Sequence, residues 1–284
     1  MAIASFDSSM VSRIGTVLYP RIVFRNVADV GAFELYESFL RALARFRDSV
    51  TAQLDPEHYS ITEFMKFASK EVTETDKVLD AGAGPCPYKQ YFIHAYYEST
   101  DFEDIFDKQS KRLHDFICSL DNIPKPNNSY DVIINTQVLE HVAEPQKVIN
   151  EFYRILKPKG KLFLTAPQGW GIHGEPYHFF NFTRFGLQLL FKKAGFGAVF
   201  IKPRGGIFWY LAHRISILPS YLSSQYISKT DRTWQNIGVL FLRLACLLSV
   251  PFCRFLVPLT FFYLDKLDKK QDYTLGYACY CTKG

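Results

Sequence analysis

A short apolar run that closes on an acid and then breaks into glycines constrains this chain most. Lys77-Val78-Leu79-Asp80 reads as a strand, and Ala81-Gly82-Ala83-Gly84 opens a glycine-rich turn over 81–87. Glycines at such a turn let the backbone pass close to a ligand. A second strand is expected over Tyr96–Asp101, and its terminal acid lies 21 residues beyond Asp80. At the switch point of an α/β sheet this pairing binds nucleotide-like cofactors, the later acid accepting hydrogen bonds from a ribose diol. Each part also has a plainer reading: a simple connection, a helix-capping Asp80, a solvated loop acid at Asp101.

The rest of the chain supplies the alternation that such a sheet needs. Phe33, Leu35, Phe39, Leu40, Leu43 and Phe46 recur at helical steps across 33–50, and a weaker helix covers 60–70. Further strands are expected near Phe116–Ser119, at Tyr130–Asn135, at Lys161–Ala166, over 197–202 and at Tyr273–Thr282. A helix over 145–157 begins at Pro145, presents Val148, Ile149, Phe152, Ile155 and Leu156, and ends at Lys159-Gly160. Another runs from about 184 to 194 between the N-cap Thr183 and Gly195. Strands alternating with helices predict a doubly wound, mostly parallel α/β sheet.

Charge and cysteine usage narrow the function classes. The 33 basic and 28 acidic side chains leave a net charge of +5, short of the footprint of a dedicated nucleic-acid binder. With no basic stripe and no base-flipping motif, no nucleic-acid partner is expected. Six scattered cysteines with no CxxC pair predict reduced thiols in a cytoplasmic chain and give no zinc-ligand spacing. The apolar run Ile14–Pro20 is short for a secretory signal and is followed by Arg21 and Arg25.

At these residues the chain resembles the class I S-adenosylmethionine-dependent methyltransferases. The likeness covers roughly residues 75–202 and rejoins at 273–282. It rests on VLDAGAG at 78–84, on Asp101, on Asp121-Asn122-Ile123-Pro124 to Ser129-Tyr130-Asp131, on Val138-Leu139-Glu140-His141-Val142, and on Leu156-Lys157-Pro158-Lys159-Gly160. The resemblance implies a Rossmann-like sheet of seven strands, the last inserted antiparallel, with helices on both faces. It implies S-adenosyl-L-methionine as cofactor, with Asp80, Ala81, Gly82 and Gly84 at its methionine end and Asp101 on its ribose. Ser119 and Leu120 would flank the adenine, and Asn135 and Gln137 would line the pocket. Cys86 stands where a third glycine often sits, and Ser119 stands where the family often has an adenine-binding Asp. Adenine would then be held by backbone groups or by Asp121.

The acceptor side falls on the loop 167–183, which leaves the C-terminal edge of the sheet and is rich in His, aromatic and polar residues. His173 is the first candidate general base and His141 the second, since an imidazole can take a proton from an attacking hydroxyl near neutral pH. Either could instead fix its loop or helix. A His173/Glu175/His178 metal site has only loop spacing behind it, so no metal is expected. The loop and the ending 264–277 resemble those of bacterial methyltransferases associated with surface-glycan biosynthesis. This favours O-methylation of a sugar, a glycan or a lipid-linked glycan precursor. A quinone-like or other small apolar lipid acceptor, and a non-catalytic binding module of the same fold, are the alternatives.

Four segments follow from this reading: an N-terminal helical extension (1–74), the methyltransferase core (75–206), an apolar helical insertion (207–272) and the final strand (273–284). Within the insertion, 237–264 is almost wholly apolar. Its stretches Leu244–Cys253 and Phe255–Leu264 are each too short to span a bilayer, and Pro251 and Pro258 argue against one straight helix. Arg243, Arg254 and Asp265 recur every 11 positions and would mark one polar edge of a helical pair. The segment reads either as a cap or homodimer contact, or as a membrane-interface element that makes the chain peripheral to a membrane.

Overall fold

The computed structural model describes residues 50, 52–102, 114–226 and 237–284. The helix expected over 33–50 lies outside the described residues save for its last position. The chain divides into a unit Met1–Ser49 and a compact unit Val50–Gly284, and the latter is described here.

Seven strands form one sheet: β1 (Lys77–Ala81), β2 (Tyr96–Asp101), β3 (Phe116–Ile117), β4 (Tyr130–Thr136), β5 (Leu156–Pro167), β6 (Phe196–Pro203) and β7 (Gly276–Lys283). Their spatial order is β3-β2-β1-β4-β5-β7-β6. β1 to β5 pair in parallel, and β7 lies antiparallel between β5 and β6. This is the seven-stranded Rossmann-like sheet, with an antiparallel last strand, that the resemblance implied.

Helices cover both faces, so the central strands are apolar on both sides. Leu79 and Ile133 point to the core beneath α2 (Pro145–Ile155) and α3 (Arg184–Ala194), where Ile149, Phe152, Leu187 and Phe191 are buried. Their neighbours Val78, Val132 and Ile134 point the other way, toward Met65 of α1 (Pro56–Lys70) and Phe92.

Local signals account for most of the element ends. The side chain of Thr183 accepts Gly186 N–H at 3.1 Å, and Gly195 closes α3 at φ +97°. α1 begins four residues before the expected start, because Asp55 accepts His58 N–H at 3.1 Å and Pro56 opens the first turn. The helix placed over 145–157 stops at Ile155. Leu156 is already extended and pairs with Tyr130, so β5 starts five residues early and carries Lys157–Gly160 as an irregularity in its pairing. The last strand begins at Gly276 and not at Tyr273. Thr274 folds back to bond Arg204 O and Gly276 O, and the close pass of Gly276 over Ala166 O leaves no room for a Cβ.

The insertion departs further from expectation. Its described residues form α4 (Ile207–Tyr226), α5 (Ile237–Pro251), a π-helical turn at Phe252–Leu256, α6 (Val257–Leu264) and a 3₁₀ turn at Asp265–Leu267. α5, the π turn and α6 run on as one helix despite Pro251 and Pro258. The wider turn just after Pro251 takes up the hydrogen-bond register that proline disrupts. Leu244–Leu267 is thereby 24 residues of helix that contain an 18-residue window of mean hydropathy 1.9, long and apolar enough by length and composition to cross a membrane. Asp265 does not mark an exposed polar edge. It is buried and caps α4, accepting Gly206 N–H at 2.8 Å and Trp209 N–H at 3.0 Å.

Candidate functional site

The turn after β1 is built for close approach. Gly82 and Gly84 adopt φ +79° and +50°, and Gly82 N–H and Ala83 N–H both donate to Thr100 O on β2. A Cβ on Gly82 would lie 2.5 Å from Val138 Cγ2, while one on Gly84 would meet open space. Glycine at 84 thus serves backbone conformation and leaves a vacancy on the cavity side. Cys86 is also left-handed, at φ +55°, which is the conformation a glycine there would adopt freely.

Asp101 stands at the end of β2 and closes this turn. One carboxylate oxygen accepts Gly84 N–H at 2.6 Å and the other accepts Phe102 N–H at 2.7 Å. Each oxygen keeps lone-pair capacity for a ligand hydroxyl. A cavity of about 620 Å³ opens here, lined by Gly82, Gly84, Asp101, Ser119, Leu120, Gln137 and His141 among others. Ser119 Oγ donates to Asp121 at 2.6 Å, so the serine holds an acid at the cavity wall where the family often places one directly. Gln137, at φ +54°, is fixed by two bonds to Thr165, one through its N–H and one through Nε2.

Asp80, Ala81 and Asn135 sit behind the turn and do not line this cavity. Asn135 donates to Ala81 O at 2.7 Å and ties β4 to the end of β1. Asp80 is buried and accepts the Tyr97 hydroxyl at 2.6 Å. Burial, and secondarily the nearby charge of Asp101, push its carboxyl up to about 7 against the opposing hydrogen bond from Tyr97.

The opposite wall comes from the 3₁₀ turn Leu139–His141 and the loop after β5. Gly174, Tyr177 and Phe179 of that loop join His141 in lining the cavity. Glu140 O accepts Phe179 N–H at 2.8 Å and Phe180 N–H at 3.3 Å, which pins the loop to the turn. His141 Nδ1 lies 2.6 Å from Tyr177 O and His173 Nδ1 lies 2.9 Å from Gly171 O. A carbonyl only accepts, so each Nδ1 carries the proton and each Nε2 is left as a base. The rings of His141 and His173 meet edge to face at 4.7 Å between centroids, and His178 lies 4.3 Å from His173. His173 therefore reaches the cavity through His141 and not as a lining residue. Burial first, then the neighbouring His173 and His178, holds the His141 imidazole below its ordinary value and neutral at pH 7.

Gly174, Tyr177 and Phe179 belong to the loop expected on the acceptor side, and Phe102 is a cavity residue that no motif singled out. Glu140 is another surprise. Its carboxyl is fully buried with neither oxygen hydrogen-bonded, and burial pushes it up to about 8. Glu140, His141 and His173 each bring one ligand-capable atom within 4.8 Å of the others, a set that could hold a cation. It joins two distant segments, so spacing gave no sign of it. A larger groove of about 1010 Å³, walled by Phe64, Phe200, Trp209 and Tyr280, holds none of the residues expected from the sequence to bind cofactor or act in catalysis.

Residues 79–164 match the family described as "Methyltransferase domain". Over 84 residues the chain is 30% identical to a protein of Mycolicibacterium smegmatis named "Probable S-adenosylmethionine-dependent methyltransferase", covering 28% of this chain and 33% of that protein. Over 66 residues it is 33% identical to the mitochondrial ubiquinone biosynthesis O-methyltransferase of Bos taurus, covering 23% of this chain and 17% of the bovine protein. The matched stretch thus spans a third or less of each relative. A solved S-adenosylmethionine-dependent methyltransferase from Archaeoglobus fulgidus aligns over 78% of this chain and 94% of its own, at 14% identity and a TM-score of 0.47. Residues 79–164 are thus similar to a methyltransferase domain, and S-adenosylmethionine is the methyl donor named for the Mycolicibacterium relative.

Proposed function

We propose that the chain is an S-adenosylmethionine-dependent methyltransferase that methylates a hydroxyl group of a sugar, a glycan or a glycan precursor. One observation carries this reading. A single cavity joins the glycine turn and Asp101 on one wall to His141 and the 174–179 loop on the other.

The cofactor fits the residues present. The vacancy at Gly84 and the spare lone pairs of Asp101 suit its methionine and ribose parts, and Ser119 with Asp121 suits its adenine. Bound there, it supplies a methyl group on a positively charged sulfur. The chain's own work is placement. Asp101 and the turn fix one reactant, the loop fixes the other, and aligned reactants gain most of the acceleration from proximity. Phe102 and Phe179 add apolar surface to the cavity lining. The free Nε2 of His141, on the cavity wall, receives the acceptor's hydroxyl proton, and His173 packed edge to face against it positions that imidazole.

A sugar-type acceptor is supported by the polar lining of Asp121, Gln137 and Tyr177. The bovine relative is an O-methyltransferase by name, which also favours oxygen as the acceptor atom. The aromatic lining keeps a quinone-like acceptor as the second reading. Labelled donor supplied with sugar-nucleotide, lipid-linked glycan and quinol acceptors separates them. Label in a sugar product supports the proposal, and label in quinol alone moves the activity to the second reading. A folded chain that labels none and binds no S-adenosylhomocysteine is a non-catalytic module.

A further inference from the structure

We propose that the apolar insertion docks on an anionic membrane surface and presents a lipid-anchored acceptor to the loop 167–183. This rests on the methyl-transfer reading for the acceptor but not for the docking.

The helix that ends the insertion hides a narrow stripe and exposes the rest. Cys246, Cys253 and Val257 are buried, at the spacing of one helical edge. Phe241, Leu247 and Leu248 are each 68% exposed, and Phe252, Phe255 and Leu256 are each more than half exposed. Of the 18-residue apolar window within Leu244–Leu267 only 22% is buried within the chain. An apolar face of this extent marks an interaction site.

Charge decides which partner it fits. Exposed Lys266 stands at the C-terminal end of the stretch with Lys269 and Lys270 just beyond it, and Tyr263 within it and Tyr221 on α4 are exposed as well. Lysines and tyrosines beside an apolar face suit the headgroup region, where each lysine near an anionic leaflet contributes about 1 kcal/mol. The helix is also bound along its length to α4. Arg254 donates to Ser220 Oγ at 3.0 Å, Trp209 Nε1 donates to Phe262 O at 3.3 Å, and Asp265 caps the start of α4. A helix held this way to a water-soluble sheet lies in the interface and does not cross.

The same α4 grips the acceptor loop. Arg214 donates to Gly169 O and stacks over the Trp170 ring at 5.0 Å. His213 lies 4.4 Å from Trp170, which exchanges two hydrogen bonds with Asn181 and sits 6.0 Å from His173. One helix therefore joins the lipid-facing surface to the loop that carries His173. A headgroup-level acceptor meets that loop without leaving its leaflet.

The test is flotation of the full chain with phosphatidylcholine vesicles, with and without phosphatidylglycerol. We expect flotation with the anionic vesicles, reversed by high salt and abolished in the double variant Leu247→Glu/Leu248→Glu. Lys266→Glu/Lys269→Glu/Lys270→Glu, confined to exposed side chains, should weaken anionic partition by about tenfold or more. No flotation, or flotation unchanged in both variants, overturns the proposal. So does a concentration-dependent dimer that the leucine variant dissolves without any flotation, which would give the face to a second copy. Retention through an alkaline wash would mean a span. Calorimetry with S-adenosylhomocysteine on the same samples keeps the readings apart, because docking can fail while cofactor binding stands, and the reverse.

Discussion

A Cβ on Gly82 would lie 2.5 Å from Cγ2 and 2.7 Å from Cγ1 of Val138. The turn after β1 and the segment after β4 are therefore packed to contact, and the cavity floor is set by that contact. Gly82 also holds φ +79°, which L side chains rarely adopt. Gly82→Ala is expected to destabilise the fold by about 1–3 kcal/mol and to weaken cofactor binding by about tenfold. Adding Val138→Ala should restore only part of the loss, since the backbone strain stays. Thermal melts and titrations of the two variants measure both effects, and full recovery in the double variant would show that strain contributes nothing.

Glu140 gives a pH signature. Its folded carboxyl titrates at about 8 because burial disfavours the charge, against 4.5 ordinarily. Between these values the unfolded chain releases a proton that the folded chain retains, so stability falls as pH rises through that window. Asp80 acts in the same direction between 3.8 and about 7. Glu140→Gln removes one of the two. Its stability relative to the parent should improve from pH 5 to pH 8 by on the order of 2–4 kcal/mol. A difference that does not change with pH would contradict the buried, proton-bound carboxyl.

His141→Ala should lower turnover by about 100-fold or more and also loosen the loop, since its Nδ1–H holds Tyr177 O at 2.6 Å. His173→Ala should lower turnover as well while S-adenosylhomocysteine binding is retained. Rapid-mixing assays with calorimetry separate chemistry from binding. Unchanged turnover in either variant removes that residue from the mechanism.

Asp265→Ala removes three backbone hydrogen bonds at the start of α4, two from Gly206 N–H and one from Trp209 N–H. A loss of about 1–2 kcal/mol is expected, and it should appear as faster proteolysis within 207–267. Cleavage at the parent rate would mean that the cap does not hold the insertion.

How far the sequence carries depends on whether a feature is local. The strand-turn-acid unit from Lys77 to Asp101, and the caps Thr183 and Gly195, are written in neighbouring residues and are legible before any coordinates. The strand order followed from resemblance and not from spacing. Gly174, Tyr177 and Phe179 reach the cavity because Glu140 O holds the loop, a pairing across 39 residues that no local pattern encodes. Pro251 and Pro258 signalled a break, and a π turn absorbed it. Asp265 carried the right spacing for an exposed edge, yet it met two orphan N–H groups and was buried as their cap. In each case a tertiary partner overrode a local rule.

The central claim is that the glycine turn and Asp101 bind the methyl donor. The most direct measurement is calorimetric titration of the purified full chain with S-adenosylhomocysteine beside Asp101→Ala. We predict saturable binding that the substitution weakens by about 10- to 100-fold, as expected for hydrogen bonds to a charged group. A folded chain that does not bind, or one in which Asp101→Ala binds equally well, would contradict the account.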